Sequence, residues 1–263
     1  MSRQRPIRVI PAMLATALVC MTAAASGADR VVTLRTVAPV AKDIAAMPLI
    51  AAPANDAERR INSALPRFDA NVRKAAAQCR KDGGKNFDWS RSIDATMRGP
   101  GFLSFTIGDN AFCGGAHPNS ATQAIVYDLA TGKPVDWTAL LPPSLTGTLS
   151  LQTGMDDTKT VALSSRKLFD LYLKLYRPVA AGAKETDEDR ECREAVKMAG
   201  ADAPPAMSAW LDAKQGGLAV QFDLAHVVQA CADAVVIPVS TLKAEGAKPA
   251  LTDALEAAAR AAK

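Results

Sequence analysis

Apolar residues at Ile61, Leu65, Phe68, Val72, Ala76 and Cys79 recur every three or four positions, as on one stripe of an amphipathic helix. Asn55 followed by Glu58 reads as the N-cap and capping box of that helix. Pro66 falls inside the stripe, and its missing N–H predicts a kink or a break into two helical pieces. After this the period changes. Phe87 to Met97 reads as a strand, Gly99-Pro100-Gly101 as a turn, and Phe102 to Ile107 as a second strand. Ala121 to Leu129 reads as a third, with Ile125 and Tyr127 alternating against Val126 and Asp128, and Thr131-Gly132-Lys133 closes it with a tight turn. Upstream, Val31 to Val37 alternates loosely as a first strand, with an Ala/Pro-rich connection running to Ala54.

The second half predicts helices first. Asp156 or Asp157 can cap one that carries Val161, Leu168, Tyr172 and Leu175 on a single face. Thr186 can cap another, with Asp187, Glu188 and Asp189 near its positive end. Trp210 to Ala213 and Leu218 to Phe222 flank Gly216-Gly217 as a hairpin. Val235 to Val239 is a last strand, placed at an edge or near its end by Pro238, and the tail from Leu251 is helical in propensity. Hairpins mixed with helices, without regular alternation, give the class α+β, with a mostly antiparallel sheet packed against helices.

Charge and cysteine usage then narrow the compartment. Arg3, Arg5 and Arg8 precede an apolar run from Val9 to about Ala25, and Ser26-Gly27-Ala28 supplies small residues for cleavage. Residues 1–28 are therefore expected to be a signal peptide, with Cys20 inside its apolar region. The whole chain carries a formal charge of +4; without those three arginines, and with no acid lost, it falls to +1. A near-neutral mature chain has no general pull toward nucleic acid or anionic membrane, and no later stretch reaches the length of a membrane span. Four cysteines remain: Cys79, Cys113, Cys192 and Cys231. An even count in an oxidising compartment predicts two disulfides, and pairing chain neighbours gives Cys79–Cys113 and Cys192–Cys231. Each would close a loop of roughly 35–40 residues and stabilise by about 3–4 kcal/mol.

The candidate chemistry sits in Phe112-Cys113-Gly114-Gly115-Ala116-His117-Pro118-Asn119, a loop between two strands holding one of two histidines. The glycines give access to positive φ and Pro118 stiffens the exit. His117 could act as a base, a ligand or a holder of loop shape. Asp109, Asp128, Ser104 and Ser120 are near it in sequence, but no nucleophile-elbow pattern joins them. His226, among Leu224, Val227 and Val228, reads as structural, and Trp89, Trp137 and Trp210 as core anchors. No zincin helix, calcium loop, close Cys pair, P-loop or dinucleotide fingerprint occurs, so neither metal nor cofactor is expected.

Several blocks, in order, resemble a family. They are Leu103-Ser104, Gly114 to Asn119, Tyr127-Asp128-Leu129 with Thr131-Gly132-Lys133, and Ile237-Pro238 with Leu242. Together they are similar to the GGAHP-type domain of unknown function of exported bacterial proteins, as in the ectodomain of the lysozyme-sensing anti-sigma factor RsiV and the non-catalytic part of the deacetylase PdaC. Pro48-Leu49-Ile50 and Ile61-Asn62 with Leu65 match its companion N-terminal domain. The organisation expected is a signal peptide over 1–28, a strand and linker over 29–54, a GGAHP-type module over 55–245 and a helical tail over 246–263. Within the module, 55–97 is the companion part and 98–245 the GGAHP part. The chain has neither a sigma-binding segment nor a deacetylase domain, so neither activity follows. The resemblance implies a non-catalytic envelope module, periplasmic or secreted, that binds peptidoglycan fragments or a lysozyme-like protein through Gly114, Gly115, His117, Pro118 and Asn119. The alternatives are a structural envelope protein without ligand and, last, a hydrolase using His117.

Overall fold

The computed structural model describes residues 30–179 and 183–262, so the expected signal peptide and Cys20 lie outside the described residues. The stripe that begins at Ile61 forms two helices, α1 (Asp56–Ala64) and α2 (Pro66–Gly83). The break falls at Leu65, so Pro66 sits in the first turn of α2, where a missing N–H costs nothing. Asn55 caps α1 by accepting from the Glu58 N–H at 2.9 Å. The reciprocal half of the capping box is redirected. The Glu58 carboxylate accepts from Ala54 N–H at 2.7 Å and pairs with Arg30 at 2.5 Å, wholly buried. The strand expected at Val31–Val37 shrinks to β1 (Leu34–Arg35), paired with β2 (Leu49–Ile50).

A three-stranded antiparallel sheet follows: β3 (Asp88–Arg98), β4 (Phe102–Phe112) and β5 (Asn119–Asp128), in that order. Both of its faces are covered. Leu103, Phe105 and Ile107 of β4 pack with Ile61, Leu65 and Phe68 under the helices. Phe102 belongs to the larger core on the other side, and the intervening Ser104 hydroxyl accepts from Leu211 N–H of the second sheet at 3.1 Å. A bulge in β3 between Ala95 and Met97 presents the Thr96 carbonyl to Ala213 N–H at 3.0 Å.

The second sheet is also antiparallel, its five strands lying side by side in reverse chain order. Its last two strands correct the sequence reading. Instead of a helix from Asp156, the chain makes a hairpin of β6 (Thr148–Thr153) and β7 (Lys159–Ser164). Asp157, at φ 62°, lies in its turn. The helix α5 starts later, at Arg166–Leu175, capped by the Ser165 hydroxyl. Before this hairpin lie the short helices α3 (Trp137–Leu140) and α4 (Pro143–Thr146). Thr186 caps α6 (Asp187–Ala199) with a complete capping box through Asp189. β8 (Met207–Asp212) and β9 (Gly217–Gln221) form the expected hairpin, and β10 (Val235–Pro238) lies on the edge, as Pro238 requires. After α7 (Val239–Ala244), the tail forms α8 (Pro249–Ala261), which buries Leu251, Leu255 and Ala258 in the main core. All three tryptophans are buried.

Both disulfides form as paired from the sequence, Cys79–Cys113 and Cys192–Cys231. The chain is thus α+β, with antiparallel sheets, helices and two disulfides. Among the described residues, no helix is long and apolar enough to cross a membrane.

Candidate functional site

The loop Cys113–Pro118 is the exposed tip of the β4–β5 hairpin. Its base is fixed in two ways. Cys113 is bonded to Cys79 near the end of α2, and the loop backbone touches the helix end directly. A Cβ on Gly114, which has φ 87°, would lie 2.9 Å from Gly83 Cα, and one on Gly83 would lie 3.0 Å from the Cys113 carbonyl carbon. No other residue fits either position without displacing backbone. Gly115 is different: it does not adopt positive φ, and a Cβ there would meet nothing within 4 Å. The expectation that both glycines serve backbone freedom therefore holds for Gly114 only. His117 is exposed, with Nδ1 3.3 Å from the Pro118 carbonyl. Asn119 opens β5 opposite Ala111.

Next to the tip, the Ser120 hydroxyl donates to the Asn110 side chain, and Gln229 donates to the Ser120 carbonyl. Gln229 belongs to the 3₁₀ segment His226–Cys231, which places the second disulfide's segment against the hairpin. The expectation for the His226 side chain falls outside what is described.

The other residues considered with His117 are not gathered around it. Asp128 lies at the far end of β5, about 30 Å away at the rise of a strand, where its carboxylate accepts from Ala130 and Thr131 N–H at 2.8 Å. Ser104 is buried between the sheets. Asp109 is buried as well, and accepts from Trp89 Nε1–H at 2.9 Å. Its carboxyl is pushed above the usual range by burial, against the pull of the Arg91 guanidinium and the Trp89 bond.

Asp109 belongs to a buried ionic junction that sequence reasoning missed. The Arg91 side chain is 0% exposed and lies 3.7 Å from Asp109 and 3.2 Å from Asp156. Arg91 also donates to the Phe68 carbonyl at 3.3 Å, while Asp156 accepts from Gln123 at 3.1 Å and from Thr158 N–H at 3.0 Å. Among the described residues, Arg91 Nε, Asp109 Oδ2 and Gln123 Oε1 are buried without a hydrogen-bond partner. A cation held between two carboxylates under both sheets aligns β3, β4, β5 and the β6–β7 turn. It offers no accessible nucleophile.

A groove of about 480 Å³ runs along α2 before the contact between Gly83 and Gly114. Its apolar part comes from Val40, Ile44 and Ala76, and its basic part from Arg73, Arg80 and Lys81. Arg80 also stacks over Phe87 at 4.7 Å. The volume suits a small ligand. Among the described residues, no three His, Cys, Asp or Glu side chains are grouped to hold a metal ion.

No protein-family model and no curated protein matches the chain. Among solved structures, a member of the DUF3298 family from Bacteroides fragilis matches with a TM-score of 0.44 and 15% identity, covering 79% of this chain and 75% of that one.

Proposed function

We propose that this chain is an exported, non-catalytic binding module of the cell envelope. Its partner is a cell-wall-derived ligand such as a peptidoglycan fragment, or a lysozyme-like protein that attacks the wall. The observation that carries this reading is a solvent-exposed loop on a rigid base, fixed by the Cys79–Cys113 bond and the close approach of Gly83 and Gly114, beside a groove of ligand size. Rigid exposed loops are what recognition surfaces use, because little ordering cost remains at binding. Two disulfides favour an oxidising compartment. The basic and apolar pattern over residues 1–28 agrees with export.

The hydrolase alternative is weakened by the positions of Asp109 and Asp128, one locked on Trp89 and Arg91, the other capping a distant turn. Calorimetric titration of the protein with lysozyme and with purified muropeptides tests the proposal. Saturable heat with either partner, lost on His117→Ala or Asn119→Ala at unchanged thermal midpoint, supports it. Silence from both partners removes it.

A further inference from the structure

The far end of the same hairpin carries a second concave surface, independent of the loop. A cleft of about 360 Å³ lies between the start of α2, the Thr131–Lys133 turn and the start of β7. Three exposed cations from these three elements line it: Arg67, Lys133 and Lys159. Among the described residues, none has a carboxylate within 4.0 Å, whereas Arg30, Arg59, Arg91, Arg190 and Arg193 do. Gathering like charges in one concavity costs repulsion, and an anion bound there relieves it.

The cleft is built rather than incidental. Gly132 has φ 70°, and a Cβ on it would lie 2.3 Å from the Ala57 carbonyl oxygen, so the turn is seated on α1. Asp128 N–H donates to the Lys133 carbonyl at 2.9 Å, closing the turn that presents Lys133. Asn71 donates to the Thr158 hydroxyl at 3.0 Å and ties α2 to the β7 side. The apolar wall includes Phe68 and Tyr127. Tyr127 is only 2% exposed, yet among the described residues its hydroxyl makes no hydrogen bond. Among the described residues the fully buried atoms without a partner are Arg91 Nε, Asp109 Oδ2 and Gln123 Oε1, so the Tyr127 oxygen reaches the open space of the cleft and can donate to a group that enters. Burial pushes this phenol up to about 12, against the pull of Arg67, so it remains a donor at neutral pH.

We propose that this cleft binds an organic anion, with a carboxylate or phosphate group among Arg67, Lys133 and Lys159, the Tyr127 hydroxyl donating to it, and an apolar portion against Phe68. The test uses the full chain and three probes: phenylacetate, phenyl phosphate and neutral phenylacetamide, titrated by calorimetry or by chemical-shift perturbation. At least one anion is expected to bind saturably, with phenylacetamide at least about tenfold weaker, because charge-assisted hydrogen bonds are the stronger kind. Which anion binds tighter distinguishes a carboxylate ligand from a phosphate one. The double variant Lys133→Gln/Lys159→Gln, on exposed positions, should weaken the anion by about tenfold or more. Tyr127→Phe removes only the unpartnered hydroxyl and should weaken it about threefold without lowering the thermal midpoint. Lys214→Gln, on the exposed turn between β8 and β9, should change nothing. Equal affinity for phenylacetamide, or full anion affinity in the double lysine variant, overturns the proposal. Neither result bears on the loop, which is tested with other partners.

Discussion

The two disulfides close loops of nearly equal length, 34 and 39 residues, but the regions they hold are built from different interactions. Around Cys79–Cys113 the apolar support is small, drawn from Ile44, Val72, Ala76, Trp89 and Ala111, and behind it sits the ionic junction of Arg91, Asp109 and Asp156. Around Cys192–Cys231 the support is aromatic. Tyr172 meets Tyr176 and Phe222 at centroid distances of 5.6 and 5.0 Å, and Phe169 meets Phe222 at 5.8 Å. The phenols of Tyr172 and Tyr176 donate to the Asp233 and Cys231 carbonyls at 2.6 and 2.9 Å. A ring cluster spreads its stabilisation over area, so each part degrades gradually. A buried ion set fails as a unit, because removing one member strands the others.

Arg91→Ala should therefore be the most severe change, costing about 3–5 kcal/mol by leaving Asp109 and Asp156 buried and unpaired. Adding Asp109→Asn and Asp156→Asn should recover part of it, and urea unfolding of the set measures both. A loss below about 1 kcal/mol for Arg91→Ala would mean that the junction is not the ionic support described here.

Next, Cys79→Ser/Cys113→Ser and Cys192→Ser/Cys231→Ser should each cost about 3–4 kcal/mol from loop entropy. The entropic terms are nearly equal, so the difference between the two variants reports their surroundings. A smaller loss for the first pair would credit the contact between Gly83 and Gly114.

Smaller still, Tyr172→Phe and Tyr176→Phe should each cost about 0.5–1.5 kcal/mol. Faster amide exchange in residues 226–233, with the hairpin tip unaffected, would confirm that the phenols hold that segment.

The gentlest probe is pH. Burial raises the carboxyls of Asp109 and Asp69, so their protonated forms favour the folded state. Their contribution is fully present below the usual carboxylate range and is lost as pH rises through the raised values. Asp136 and Asp189 act oppositely: bonds from Thr138 and Thr186 hold them low, and what they add is lost as pH falls through those lowered values. Stability followed by urea midpoints should rise modestly on mild acidification, and Asp109→Asn should flatten that rise. An unchanged slope in Asp109→Asn would remove Asp109 as its source.

Local signals carried well from sequence to structure. Pro66 marks a helix boundary, Thr186 a cap, Gly216-Gly217 a hairpin, and neighbouring cysteines pair. The β6–β7 hairpin was misread because Asp156 and Asp157 have the chemistry of helix caps, and Val161, Leu168 and Tyr172 happen to fit a helical period. The side chain of Asp156 is spent on Arg91, Gln123 and the Thr158 N–H instead. That partnership spans 65 residues of chain between Arg91 and Asp156, and a charged residue in a strand reads the same whether it faces water or a buried counter-ion. The loop was legible as a tight, glycine-dependent bend. Its contact with the end of α2 was not, since nothing in Gly83 or Gly114 alone names the other.

The bonds Cys79–Cys113 and Cys192–Cys231 are nested in nothing and cross nothing: the first pair is complete before the second begins. A chain delivered from its N-terminus can therefore be oxidised in order of arrival. With Cys20 removed in the expected signal peptide, Cys113 and Cys231 each find their native partner as the nearest earlier thiol still free. An oxidant that joins cysteines as they emerge produces the correct connectivity, and no shuffling enzyme is needed to repair it.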